Sequence, residues 1–192
     1  MEWISRPARQ PARLGLMPGT FNPPTRAHVA LAEAALAVVD EVVFVLPKAF
    51  PHKTFDGATA EQRAEMLRRI AAPRPAFGAA LAAGGLYIDI GREAREEYPE
   101  AEIHMICGRD AAERIVSWDY GRPGVVEQML SEFRLLVAPR AGIYCPPAHL
   151  AYAVRNLDAG DYDACSSTRV RCETAVELVP DEIADLVSLI YR

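Results

Sequence analysis

Apolar positions along the chain fall into short unbroken runs and helical spacings, taken in turn. Leu14-Gly15-Leu16-Met17 is a compact apolar run stopped by Pro18-Gly19, the mark of a buried strand entering a turn. From Thr25 to Asp40, Val29, Leu31, Ala32, Leu36 and Val39 recur at helical intervals, and Thr25 is placed to cap the first turn. Val42–Leu46 is β-branched and aromatic up to Pro47 and predicts a second buried strand. Strand, helix and strand in so short a span make a βαβ unit, with parallel strands and a right-handed crossover.

The pattern then continues more loosely. A polar loop, Pro47–Ala58, leads to a helix over Thr59–Ala71 with Met66, Leu67 and Ile70 on one side. Pro73–Gly85 is rich in Pro, Ala and Gly and shows no clear period. Leu86–Ile90 and Ile103–Cys107 read as strands, with a charged helix, Arg92–Tyr98, between them. A helix around Val125–Glu132 precedes a strand at Arg134–Val137, and Tyr152–Leu157 reads as the last strand. Cys165–Thr174 and a helix over Asp181–Tyr191 follow. Such alternation predicts an α/β fold, an open, doubly wound parallel sheet with helices on both faces. With no internal repeat or linker, residues 1–192 are read as a single domain, with 1–12 a flexible segment ahead of it.

Composition narrows the function classes. The chain is 51% apolar and 24% charged, enough apolar surface to offset the entropy of ordering. Acidic residues split the most apolar stretches well short of the roughly 20 residues a membrane span needs. The first residues, Met1-Glu2-Trp3-Ile4-Ser5-Arg6, show no basic stretch followed by an apolar core, so secretion is not expected. Four cysteines at spacings unlike a zinc site read as reduced thiols, so a cytoplasmic protein is expected, with no metal held by side chains. Lys+Arg 21 against Asp+Glu 26 gives a net charge of -5, which argues against nucleic-acid binding through phosphate neutralisation. Lysine occurs twice, as Lys48 and Lys53.

Two stretches carry chemistry. Gly19-Thr20-Phe21-Asn22-Pro23-Pro24-Thr25-Arg26-Ala27-His28 joins the first strand to the first helix. Gly19 permits close backbone approach, and the helix start offers free N–H groups and a positive dipole end to a phosphate. Thr25 and His28, three apart, project from one face there, a hydroxyl and an imidazole suited to phosphoryl or nucleotidyl transfer. The plainer alternative is a helix-capping threonine beside a half-buried histidine. The second stretch, Cys165-Ser166-Ser167-Thr168-Arg169-Val170-Arg171, opens a helix with three hydroxyls and sets Arg171 one turn on. Alone it could be a simple cap with a surface arginine.

Together, in this order at the ends of the first and last strands, the two stretches resemble the nucleotidylyltransferase superfamily. Its signatures are H/T-x-G-H and I-S-S-T-x-x-R; here Ala27 replaces the first signature's glycine, Cys165 the isoleucine, and Asn22 the aspartate of F-D-P. Pro51-His52-Lys53, Arg63-x-x-Met66-Leu67, Gly108-Arg109-Asp110 with Trp118, Leu135–Arg140 and Val179-Pro180 … Tyr191 resemble segments of bacterial nicotinate-mononucleotide adenylyltransferases. The likeness runs from about Leu14 onward and is patchy between Pro73 and Glu102. There Asp89 falls on a motif aspartate whose neighbours should carry threonine hydroxyls, and Ile88 and Ile90 stand beside it. Pantetheine-phosphate adenylyltransferases share the Pro18–Phe21 start and Thr25.

The resemblance implies a Rossmann-like domain that transfers AMP from ATP to a small phosphate-bearing acceptor, nicotinate or nicotinamide mononucleotide, with Mg²⁺ carried by the ATP. Thr25 and His28 would act at the α-phosphate. Gly19, Thr20, Phe21, Gly108, Asp110, Ser166, Ser167, Thr168 and Arg171 would bind ATP; Asn22, Lys53, Trp118 and Arg140 would face the acceptor. On the same resemblance Ile88 and Ile90 would give the acceptor pocket an apolar wall. The other readings are a pantetheine-phosphate adenylyltransferase, an adenylyl- or cytidylyltransferase with a different small-phosphate acceptor, and a nucleotide-binding sensor without turnover. No nucleic-acid or membrane partner is implied, and a homo-oligomer is left open.

Overall fold

The computed structural model describes residues 1–7, 10–49, 57–139 and 142–191. Seven strands form one sheet: β1 (Glu2–Ser5), β2 (Arg13–Pro18), β3 (Glu41–Pro47), β4 (Phe77–Ala82), β5 (Glu102–Gly108), β6 (Arg134–Ala138) and β7 (Val154–Asn156). Their order is β1-β4-β3-β2-β5-β6-β7. All neighbours pair in parallel except β1, which runs antiparallel along β4. The helices are α1 (Arg26–Ala35), α2 (Ala60–Ala71), α3 (Tyr87–Glu97), α4 (Arg109–Ser117), α5 (Val125–Glu132), α6 (Ser167–Glu173) and α7 (Ala184–Ile190).

The expected doubly wound sheet is present, and both its faces are covered. On one side Met17, Phe44, Ile106 and Leu136 pack under α1, α2 and α7. On the other, Leu16, Val45, Met105 and Val137 pack under α3, α4 and α5. Strands buried on both faces read as continuous apolar runs, which is why β3 and β5 stood out in the sequence. Winding reverses between β2 and β5, adjacent strands whose following helices, α1 and α4, lie on opposite faces. That is the point where an open α/β sheet leaves a crevice beyond its carboxyl ends.

Three local expectations are corrected. Residues 2–5 form an edge strand instead of belonging to a loose segment. Trp3 holds it, donating from Nε1 to Glu97 at 2.7 Å and meeting Tyr98 edge-on at 6.2 Å. Gly78 leaves the room that Pro7 fills, since a Cβ there would lie 2.6 Å from the proline ring. Leu86–Ile90 opens a helix instead of forming a strand. Ile90, Gly91, Ala94 and Tyr98 are buried at helical spacing, and a short apolar run does not separate the two cases. The patternless Pro73–Gly85 stretch contains β4, whose small side chains let the layers close tightly over it.

Candidate active site

At the switch point the β2–α1 loop faces the start of α4 and the start of α6 across a cleft of about 540 Å³. Thr25, Ala27 and His28 form one wall, Gly108, Asp110, Ala111 and Arg114 the second, and Asp163, Ser166, Ser167 and Thr168 close it. The two stretches singled out in the sequence therefore meet, although Ser166 lies 141 positions beyond Thr25.

Thr25 caps α1 and is fully buried. Its backbone N–H donates to His28 Nδ1 at 3.0 Å, and its hydroxyl lies 2.8 Å from the same nitrogen. This is a capping box with histidine in the place usually held by Glu or Gln. A ring nitrogen that accepts from an amide carries no proton, so the neutral His28 ring has its N–H on Nε2. Phe21 supports the ring edge-on at 5.3 Å. Thr25, expected at the phosphate, borders the cleft and is bonded to the His28 ring.

The rest of the loop is tied down from behind. The Gly19 N–H donates to Val45 O at 3.0 Å, and the Phe21 ring packs where a Cβ would stand, 2.8 Å away. Glycine is required there for the close approach of Phe21, which is itself in the core and 1% exposed. Neither Gly19 nor Phe21, both expected to bind ATP, is among the residues that line the cleft. The Thr20 carbonyl accepts from Arg63 Nη1 at 3.0 Å. Asn22, expected to face the acceptor, is buried, and its Oδ1 accepts from the Ala58 N–H at 3.2 Å. Arg63 was legible in the sequence only as part of a motif, with no sign that it holds this loop.

Across the cleft, Gly108 caps α4, and a Cβ there would meet nothing within 4 Å. Asp110 follows in the first turn and is exposed to the cleft. Ser166 caps α6, accepting from the Arg169 N–H at 3.2 Å. Ser167 donates to Pro23 O at 2.7 Å, and Arg171 donates from Nη1 to Asn22 O. Arg171 Nη2 also lies 3.3 Å from Thr168 Oγ1. Ser167 and Arg171 thus lock α6 to the β2–α1 loop, while Ser166, Ser167 and Thr168 all border the cleft.

Trp118 ends α4, 41% exposed, and is not among the residues lining the cleft. Ile88 and Ile90 lie on the buried face of α3, in the core, so they cannot be the apolar wall of an acceptor pocket. Lys53 and Arg140 fall outside the described residues. Tyr162 and Asp163, which border the cleft, carried no sequence signal beyond a polar loop. A separate hollow of about 320 Å³ lies at the amino-terminal ends of β5 and β6, away from these groups, beside buried His104. Among the described residues no group of three His, Cys, Asp or Glu could hold a metal ion. Nor is any described helix long and apolar enough to cross a membrane.

Comparison with known proteins shows the family of the chain. Residues 16–173 match the family model described as cytidylyltransferase-like. A probable nicotinate-nucleotide adenylyltransferase of Gloeobacter violaceus is 30% identical over 91% of this chain and 93% of its own. One of Geobacter sp. strain M21, with the same name, is 37% identical over 81% and 84%. In fold, the chain is similar to Plasmodium falciparum nicotinic acid mononucleotide adenylyltransferase complexed with NaAD. That likeness has a TM-score of 0.68 at 16% identity, covering 92% of this chain and 95% of the other. The chain belongs to the cytidylyltransferase-like family, among the nicotinate-nucleotide adenylyltransferases.

Proposed function

We propose that the protein transfers AMP from ATP to nicotinate mononucleotide, giving the dinucleotide and pyrophosphate, and that it does so in the cytoplasm. A phosphate oxygen of the mononucleotide attacks the α-phosphorus of ATP. The bond from that phosphorus to the bridging oxygen breaks, and pyrophosphate leaves with the electron pair. Both partners are supplied by the substrates, so no protein nucleophile is needed; positioning and charge stabilisation carry the rate.

The observation that carries this reading is the Thr25–His28 pair facing Asp110 and Ser166–Thr168 across one crevice. With Nδ1 occupied by the Thr25 amide, His28 offers Nε2–H to a non-bridging α-phosphate oxygen as charge grows on it. Asp110 is placed to accept from a ribose hydroxyl, and the bare Gly108 lets the nucleoside lie close. Ser166 and Thr168 would bond the departing phosphates, with the Arg171 charge behind Thr168. Lys53, Trp118 and Arg140 would face the acceptor.

The described residues build no cation site of their own, while the cleft has room for an ion that arrives on the nucleotide. Mg²⁺ would then be held by phosphate oxygens and water, with Asp110 and Asp163 nearby, and would lower the charge of the phosphates. The test is pyrophosphate release with Mg²⁺ and either ATP or CTP, against nicotinate mononucleotide, nicotinamide mononucleotide and phosphopantetheine. Turnover with ATP and nicotinate mononucleotide is expected. Turnover confined to CTP or to phosphopantetheine, or none with any pair, would overturn the assignment.

A further inference from the structure

Tyr191, just past α7, reaches the β2–α1 loop that it follows by 169 residues: its phenol donates to Asn22 Oδ1. The same oxygen accepts from the Ala58 N–H. Gly57, at φ +111, lies between them, and a Cβ on it would stand 2.9 Å from the Tyr191 ring and 3.1 Å from Asn22 Oδ1. Three segments distant in sequence thus close on one buried junction with no room for a further carbon. Tyr191 is 6% exposed and Asn22 3%, and neither lines the cleft. Burial pushes the Tyr191 phenol up to about 12, so it stays protonated and remains a donor near neutral pH.

Only Pro23 and Pro24 separate Asn22 from Thr25, whose N–H sets the His28 ring. Prolines have a fixed φ, so a shift at Asn22 passes to Thr25 with little absorbed between. Arg63 on Thr20 O, Arg171 on Asn22 O and Ser167 on Pro23 O fix the loop's main chain. The Tyr191 contact fixes a side chain of the same loop.

We propose that Tyr191 is a positioning residue: through Asn22 it sets the β2–α1 loop, and with it the His28 ring that faces the α-phosphate. The kinetic consequence rests on the adenylyl-transfer reading above; the placement of His28 does not.

Tyr191→Phe removes one oxygen and keeps the ring. With MgATP and nicotinate mononucleotide, kcat is expected to fall on the order of 10-fold, while KM for ATP moves less than about twofold. Asn22→Ala should lose a similar amount, and Asn22→Asp, which still accepts from the phenol, should recover most of it. The double substitution Tyr191→Phe/Asn22→Ala should be no worse than the poorer single one, because both remove the same contact. In protein with isotope-labelled histidine, the His28 ring resonances should shift in Tyr191→Phe while those of His104 and His149 stay in place. A folded Tyr191→Phe protein with unchanged kcat, losses that add in the double variant, or an unmoved His28 signal would each overturn the assignment. If the unsubstituted protein shows no turnover but its His28 signal still responds to Tyr191→Phe, the adenylyl-transfer reading fails and the role of the junction stands.

Discussion

At the scale of single residues, the site works by making one side chain orient another. Thr25 is fully buried and bonded to His28, so it holds the imidazole in place. His28→Ala is expected to lower kcat by about 10²-fold or more with a smaller loss of ATP affinity, the pattern for a group that meets charge mainly in the transition state. Steady-state kinetics beside equilibrium ATP binding checks this; equal losses in both would make His28 a ground-state ligand. Ile90 supplies the contrasting case. It is fully buried on the core face of α3, so Ile90→Ala should cost about 2–5 kcal/mol of stability and leave the preference for nicotinate over nicotinamide mononucleotide unchanged. Denaturant unfolding and a two-acceptor assay decide it. A change in that preference would return Ile90 to the acceptor pocket.

At the scale of elements, legibility followed the strength of the local period. The β2–α1–β3 unit could be read because β-branched runs and a clean helical spacing stand side by side, closed by prolines and capped by Thr25. β4 could not: Gly78, Ala79, Ala80 and Ala82 have weak strand preference, and their place is set by the layers packed over them. β1 is four residues long and depends on Trp3 finding Tyr98 and Glu97 in a distant helix. Both signature motifs were legible, but their use was not. No spacing rule indicates that Ser167 and Arg171 bond the main chain of the β2–α1 loop, or that Asn22 turns inward.

The helix α2 also carries a pH signal. Arg68 and then Arg69 hold the Glu65 carboxyl down at about 2, against an ordinary value of 4.5. A depressed folded-state value means stabilisation that is complete above pH 4.5 and fades as pH falls toward 2. Exposure to solvent keeps the effect small, within about 1 kcal/mol. Glu65→Gln should therefore melt slightly below the parent protein at neutral pH and together with it near pH 2. A gap that persists undiminished at that acid limit would exclude the ion pair as its cause.

At the scale of the whole molecule, the cleft is the place where the two halves of the sheet part. His28 belongs to α1, packed in the core on one face, while Asp110 belongs to α4, packed in the core on the other. Each wall is fixed to its own hydrophobic core, and the sheet between them is their common floor. A nucleotide spanning the cleft is then a staple driven through both layers from the carboxyl edge of the strands. It should raise the melting temperature through preference for the folded state. It should also slow amide exchange in α1 and α4 together, because neither layer could open without releasing the ligand held by the other. Protection confined to one of these helices would mean that the nucleotide rests against a single wall. The sheet would then divide the two helical layers mechanically, with no bound molecule to rivet them.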